Sequence, residues 1–262
     1  VIFQIGSDFS FALVFIDLQE KPIMFKKIET GISGFDEIAL GGLPKNRTTL
    51  VAGTSGSGKT VFSIEYIYRG ITMFKEPGII VTFEESKEEI IDNTVGFGWN
   101  LEQLERDGML GFVDLSQSLG EEEIVGNYDL TGLIERVKLM ALRVQAVRAT
   151  LDAVSALFIN YTNSHIVRKD LFRLSSALKK MGVTPLITSE RIEEQKMLSR
   201  FQIEEFTTDN VILLYNPLQN SKRARHIEIL KFRGTQHETG LFPITIDKNG
   251  IHITSEQVLL QS

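Results

Sequence analysis

The stretch Thr48–Met73, TTLVAGTSGSGKTVFSIEYIYRGITM, constrains the fold of this 262-residue chain more than any other. Inside it, Gly53, Thr54, Ser55, Gly56, Ser57, Gly58, Lys59 and Thr60 fit G-x-x-x-x-G-K-[ST] without a mismatch, the pattern of a loop that cradles phosphate. The glycines let the backbone curl until successive N–H groups point into an anion-binding hollow. Lys59 brings a positive charge to the β- and γ-phosphates, and the hydroxyl of Thr60 is suited to ligate Mg²⁺. Leu50-Val51-Ala52 reads as the end of a buried strand. Val61 to Met73 reads as a helix whose positive N-terminal end faces the phosphates. A glycine-rich turn that binds nothing is the plain alternative, and eight matched residues between a strand and a helix argue against it. The motif alone says nucleotide binding, and not what the nucleotide is used for.

The rest of the chain alternates strand and helix signals. Ile79 to Phe83 is an apolar, β-branched strand ending at Glu84 and Glu85. Ser86-Lys87-Glu88-Glu89 has the capping-box form, so a helix starts there. Gly111 to Leu115 is a strand, Asp129 caps a helix running to about Val147, and Arg148 to Leu151 is a short strand delivering Asp152. Ile166 to Met181 is an amphipathic helix ended by Gly182. Val183 to Thr188 is a strand ending in Ser189-Glu190-Arg191. Pro185 lacks the donor a central strand needs, which predicts an edge or a bulge there. Asn210 to Tyr215 is a strand, Ser221 to Arg225 a basic hairpin turn, and His226 to Arg233 another strand. Phe242 to Ile246 and Gly250 to Thr254 form a last hairpin. This order predicts an α/β fold: a mostly parallel sheet with helices on both faces, extended by C-terminal hairpins.

Ligands of such a sheet bind at the carboxyl ends of its strands. That singles out Glu84 and Glu85, and Asp152 in the position of a metal-holding Walker B aspartate. An ordinary strand-end aspartate is the alternative for Asp152, and it would prevail without the phosphate loop. Lys231 and Arg233 stand two apart, so both leave one strand face. They are solvated surface, or they reach a phosphate of this chain or of a neighbour. The acidic segment Ser116 to Tyr128 reads as a solvated linker or a docking loop, composition favouring the linker. The chain has no cysteine, which excludes disulfides, cysteine zinc sites and thiol catalysis and suits a reducing cytoplasm. A net charge of −6 argues against a mainly electrostatic nucleic-acid binder. No apolar run reaches transmembrane length. Residues 1–23 read either as an added strand or as sequence upstream of a domain that opens at Met24, and they carry no assigned function. The main domain is expected over residues 24–255, with 256–262 a tail or the start of a linker.

From about Phe25 to Thr254 the chain resembles the N-terminal ATPase half of the KaiC family, within the RecA-like P-loop ATPases. The resemblance rests on GFDEIALGGLP, GTSGSGKT, EPGIIVTFEES, FGWNLEQL, RKDLFRL, TSERIEE, DNVILL and ILKFRGTQH. It implies ATP held by Gly56, Ser57, Gly58, Lys59, Thr60 and Val61, paired catalytic glutamates at Glu84 and Glu85, and Mg²⁺ held by Thr60, Asp152 and Glu84. Lys231, Phe232, Arg233, Thr235 and His237 match the family segment that reaches the adjacent subunit's nucleotide, so activity would require a homo-oligomer, expected to be a hexameric ring. The Ser118–Asp129 loop resembles the region where a KaiB-like partner docks. Asp247-Lys248, Gly96 and Ala153 depart from the family pattern, and these departures bear on base and ribose contacts rather than on phosphate binding. The family's full-length protein has a second half with autophosphorylation sites, so a Ser/Thr kinase is expected only of a longer protein.

Three functions remain in view. The first is an Mg²⁺-dependent ATPase in a ring. The second is a recombinase- or helicase-type DNA-handling ATPase, which needs a basic pore loop. The candidate stretch for that loop, Glu193 to Glu205, is mixed in charge. The third is a nucleotide-gated interaction module with negligible turnover.

Overall fold

A computed structural model describes residues 26–116, 130–157, 164–191, 208–219 and 221–256. The predictions for residues 1–23, the acidic loop from Ser118 to Asp129, and Glu193 to Glu205 fall outside that set. A small antiparallel pair, β1 (Lys27–Ile28) and β2 (Leu43–Pro44), flanks the short helix α1 (Phe35–Ile38). Then follow β3 (Thr49–Gly53), α2 (Lys59–Phe74), β4 (Gly78–Thr82), α3 (Lys87–Val95), α4 (Leu101–Arg106) and β5 (Leu110–Asp114). After them come α5 (Leu130–Val144), β6 (Arg148–Asp152), α6 (Val154–Leu157), α7 (Ser164–Lys180) and β7 (Thr184–Glu190). The chain continues with β8 (Asn210–Tyr215), the minor pair β9 (Leu218–Gln219) and β10 (Lys222–Arg223), β11 (Arg225–Phe232), β12 (Phe242–Asp247) and β13 (Gly250–Ile253).

The main sheet has nine strands in the order β13-β12-β11-β8-β3-β7-β6-β4-β5. From β8 to β5 all neighbours are parallel, and β11, β12 and β13 add on antiparallel. Alternation along each central strand sends side chains to two cores. Val51 and Ile80 pack with Phe62 and Ile67 of α2, whereas Leu50, Ala52, Ile79 and Val81 pack with Leu133 and Val137 of α5 and Leu174 and Leu178 of α7. Both faces are therefore covered, as the near-continuous apolar runs in β3 and β4 require. Each fully buried Leu, Ile or Phe contributes about 1.5–3 kcal/mol, which fixes the strand register and with it the sheet's functional edge. The predicted capping box forms at α3: Ser86 Oγ accepts the Glu89 amide at 3.2 Å, and Glu89 Oε2 accepts the Ser86 amide at 2.7 Å.

One expectation needs correction. β7 is neither edge nor bulged; it lies between β3 and β6 and is paired to both. The Thr184 amide donates toward β6, to Val147 O at 2.9 Å. Alternation turns the Pro185 nitrogen toward β3, whose pairing with β7 opens only at Leu186, so the missing donor falls just before that ladder begins. Lys231 and Arg233 flank the buried Phe232. The β11–β8 register shift lies before them, between Ile229 and Lys231, and β11 ends at Phe232. Both cations reach the turn at Thr208 and Asp209.

Candidate active site

β3 runs into a loop whose glycines do steric work. A Cβ on Gly53 would lie 2.5 Å from Ser57 Oγ and 2.8 Å from Leu214 O, and Gly58 takes a left-handed φ of 99° as the residue that opens α2. The outward-facing carbonyls of the loop are bound. Lys59 Nζ donates to Thr54 O at 3.1 Å, Asn216 Nδ2 to Ser55 O at 3.5 Å, and Arg225 Nε to Gly56 O at 2.9 Å. Two buried hydroxyls, Thr54 Oγ1 and Ser57 Oγ, have no partner; such atoms are expected where a ligand completes the bonding. Beside the loop opens a cleft of about 410 Å³, lined by Gly56, Gly58, Lys59, Thr60, Val61, Arg225 and Ile246.

Three strands end with carboxylates at this edge: β4 leads to Glu84, β6 to Asp152 and β7 to Glu190. Burial pushes the Lys59 pKa below the usual lysine value, while the charges of Glu190, Asp152 and Glu84, in that order of strength, pull it back. The Thr188 hydroxyl on β7 donates to Asp152 Oδ1 and fixes its direction. The peptide bond from Asp152 to Ala153 is cis. Glu84 is exposed and Glu85 half-buried. Burial pushes the Glu85 carboxyl pKa up, and Asn93, whose Nδ2 donates to it at 3.4 Å, offsets part of that shift.

This arrangement fits a magnesium nucleotide. Mg²⁺ keeps several waters and takes phosphate oxygens, so it needs only one or two protein ligands. Thr60 at the start of α2, Asp152 at the end of β6 and Glu84 just beyond β4 offer oxygens at this edge. The described residues contain no group of three or more His, Cys, Asp or Glu arranged for a metal, so no all-protein cage competes with that reading among them.

The second predicted group lies elsewhere. Lys231 and Phe232 pair with Val211 and Asn210, and Asn210 pairs with Thr49 at the start of β3. The phosphate loop leaves β3 at its other end, about 13 Å away along the strand. Lys231 Nζ donates to Thr208 O at 2.9 Å, and Arg233 Nη1 lies 4.0 Å from Asp209 Oδ1 with its side chain 61% exposed. The Phe232 side chain is buried in the core, with His237 edge-on to it at 5.4 Å and Lys27 over its ring at 5.9 Å. Thr235 Oγ1 is buried with no partner. The structure thus gathers Gly53–Val61, Glu84, Glu85 and Asp152 at one sheet edge and Lys231–His237 at the opposite one.

Sequence reasoning left Glu190, Arg225, Asn216 and Ile246 without a role at the site. Glu190 carried a signal, an acidic residue ending a strand, like Glu84 and Asp152. Arg225 closed a basic hairpin. Asn216 and Ile246 carried none; topology alone brings them to the loop.

A glycine-rich loop between a central parallel strand and a helix, with carboxylates on the neighbouring strand ends, defines a RecA-like P-loop nucleotide-binding protein. The family model described as "ATPase: KaiC" matches residues 28–258. The chain belongs to the KaiC ATPase family. It is 49% identical over 228 residues to the circadian clock oscillator protein KaiC of Thermostichus vulcanus, covering 87% of this chain and 44% of that protein. It is 48% identical over 227 residues to KaiC of Synechococcus elongatus and 47% identical over 228 residues to KaiC 1 of Synechocystis sp., with the same two coverages. The chain therefore spans less than half the length of these relatives. The match favours the KaiC-type reading over the DNA-handling one. No helix among the described residues is long and apolar enough to cross a membrane.

Proposed function

We propose that this domain binds and hydrolyses Mg²⁺–ATP in a ring of identical subunits, expected to be a hexamer, in circadian-clock or related signalling in the cytoplasm. The observation that carries the reading is the glycine loop closed by Lys59, whose Nζ donates to Thr54 O, at the sheet edge where the strands leading to Glu84, Asp152 and Glu190 end. The loop amides and Lys59 hold the phosphates. Thr60 and Asp152, with Glu84, would hold Mg²⁺, which would neutralise charge on the β- and γ-phosphates. Glu84 or Glu85 polarises the attacking water. The charge of Glu84 acts on Lys59, and burial raises the pKa of the Glu85 carboxyl, which suits a proton acceptor.

Lys231, Arg233, Thr235 and His237, together with the backbone at Phe232, serve the site of the adjacent subunit. Their distance from this chain's own loop supports that assignment, since they cannot fold back to it. The Ser118–Asp129 loop docks a KaiB-like partner. A longer protein that includes the second half found in the relatives would be a Ser/Thr autokinase.

Single-turnover phosphate release, measured beside oligomer size with and without ATP, tests the proposal. Replacing both Glu84 and Glu85 by Gln should reduce hydrolysis at least 100-fold, the order expected for losing a general base, while leaving ATP binding in place. Normal hydrolysis by that double variant would refute the base assignment. Absence of turnover in the wild type, with ATP-dependent assembly retained, would point to a nucleotide-gated interaction module.

A further inference from the structure

A buried ion pair with no part in the proposed chemistry fastens the last hairpin of the sheet to α2. Glu65 is fully buried, at 0% exposure. Its Oε2 accepts the Ile251 amide at 2.8 Å, and its Oε1 accepts Arg69 Nε at 3.2 Å. Arg69 reaches on with Nη2 to Asn249 O at 2.6 Å. One contact lands in the β12–β13 turn and the other on β13 just after it. The fit is tight: a Cβ on Gly250, whose φ is +107°, would lie 2.4 Å from Glu65 Oε1.

Across the hairpin Ile251 pairs with Ile246, and Ile246 lines the cleft. A Cβ on Gly58 would lie 2.9 Å from Ile246 Cδ1, so this side chain presses directly on the phosphate loop. The cleft accordingly has two kinds of wall. Gly56, Gly58, Lys59 and Arg225 offer donors and positive charge; Val61 and Ile246 offer apolar surface. Apolar side chains have nothing to give a phosphate, but they suit the face of a sugar or a heterocycle.

We propose that the Glu65–Arg69 pair is a positioning device for the nucleoside part of the ligand: by clamping the β12–β13 hairpin to α2 it sets Ile246 against the ribose and base, while the loop alone holds the phosphates. This rests on the nucleotide reading above. The two residues act through Ile246 and touch no reacting atom.

The test compares binding of ATP and of inorganic tripolyphosphate, each with Mg²⁺, by titration calorimetry. Three variants are used. Glu65→Ala removes both contacts. Arg69→Met keeps the apolar stem of a side chain that is 28% exposed, so it tolerates change even if Glu65→Ala folds poorly. Glu65→Gln keeps an acceptor for the Ile251 amide. Glu65→Ala and Arg69→Met should weaken ATP about fivefold, the worth of one hydrogen bond, and leave tripolyphosphate within about twofold of wild type. Glu65→Gln should fall between Glu65→Ala and wild type. Equal weakening of both ligands, or no change for ATP, would overturn the inference. A wild type that binds tripolyphosphate as tightly as ATP would sink the inference alone, and one that binds neither would sink the nucleotide reading with it.

Discussion

Asp209 is a buried carboxylate held between Arg47 at 3.0 Å and Lys179 at 2.9 Å, with the Thr48 amide 3.3 Å away. Burial by itself would raise its pKa, but Lys179, the Thr48 amide and Arg47 outweigh that and hold it below the usual aspartate range. A depressed folded-state pKa stabilises the protein fully above the unfolded value, about 3.9. That contribution is lost as pH falls through the folded value. Asp209→Asn should therefore destabilise the domain by about 1–3 kcal/mol near neutral pH, the cost of leaving buried partners unsatisfied. The gap between variant and wild type should narrow as acid protonates Asp209. Urea unfolding at a series of pH values measures both; a gap independent of pH would show that the ionised form is not what matters.

At the scale of elements, α2 crosses the sheet over the start of β6, and Gly70 makes the room. Arg148, the first residue of β6, is 1% exposed beneath it. Its guanidinium donates to Glu76, to Tyr66 O at 3.2 Å and to Glu29 O at 2.7 Å, and lies over the rings of Tyr66 and Phe74. A Cβ on Gly70 would meet Arg148 Cδ at 2.4 Å and Nε at 2.5 Å. Alanine is the better helix former by about 1 kcal/mol, so propensity alone predicts that Gly70→Ala stabilises. Overpacking against a side chain tied down on every side costs about 1–3 kcal/mol, and a network of charge-assisted bonds is disturbed as well. Gly70→Ala should therefore lower unfolding stability by about 1–2 kcal/mol net; a higher denaturation midpoint would mean that Arg148 is freer than its bonds imply. This contact also marks a limit of reading the chain alone. The β3–loop–α2 unit, the α3 cap and the carboxylates at Glu84 and Asp152 were legible, because each rests on local pattern or on the strand-end rule. Pro185 inside a strand looked like a local fault and Gly70 inside a helix drew no reading, since the neighbouring strands and the arginine that explain them arrive from distant sequence. Arg225 and Ile246 reach the cleft, and Asn216 the phosphate loop, for the same reason: β8, β11 and β12 are stacked outward from β3, and no spacing in the sequence records that order.

On the scale of the whole molecule, β11 runs from the phosphate-loop edge of the sheet to the opposite one. Arg225 at its start binds Gly56 O of the chain's own phosphate loop, and Lys231 and Phe232 at its end pair with the opposite end of β8. A ring in which each subunit offers that opposite edge to the next subunit's cleft is a heterologous, closing assembly. The proposed trans contact can be tested without relying on a single loss of function. One chain carries Arg233→Ala and keeps Glu84 and Glu85; the other carries Glu84→Gln with Glu85→Gln and keeps Arg233. Assembled separately, every site lacks either its base or its neighbour's cation, and both preparations should be nearly inactive. Co-assembled in equal amounts, a site regains both when the first chain supplies the cleft and the second chain supplies the edge. Random mixing places about a quarter of the interfaces in that arrangement, so phosphate release should recover to about that fraction of the wild-type rate, with light scattering confirming equal assembly. If the mixed rings perform only as the average of the two separate preparations, the cation acts within its own chain and the site does not close across a subunit boundary.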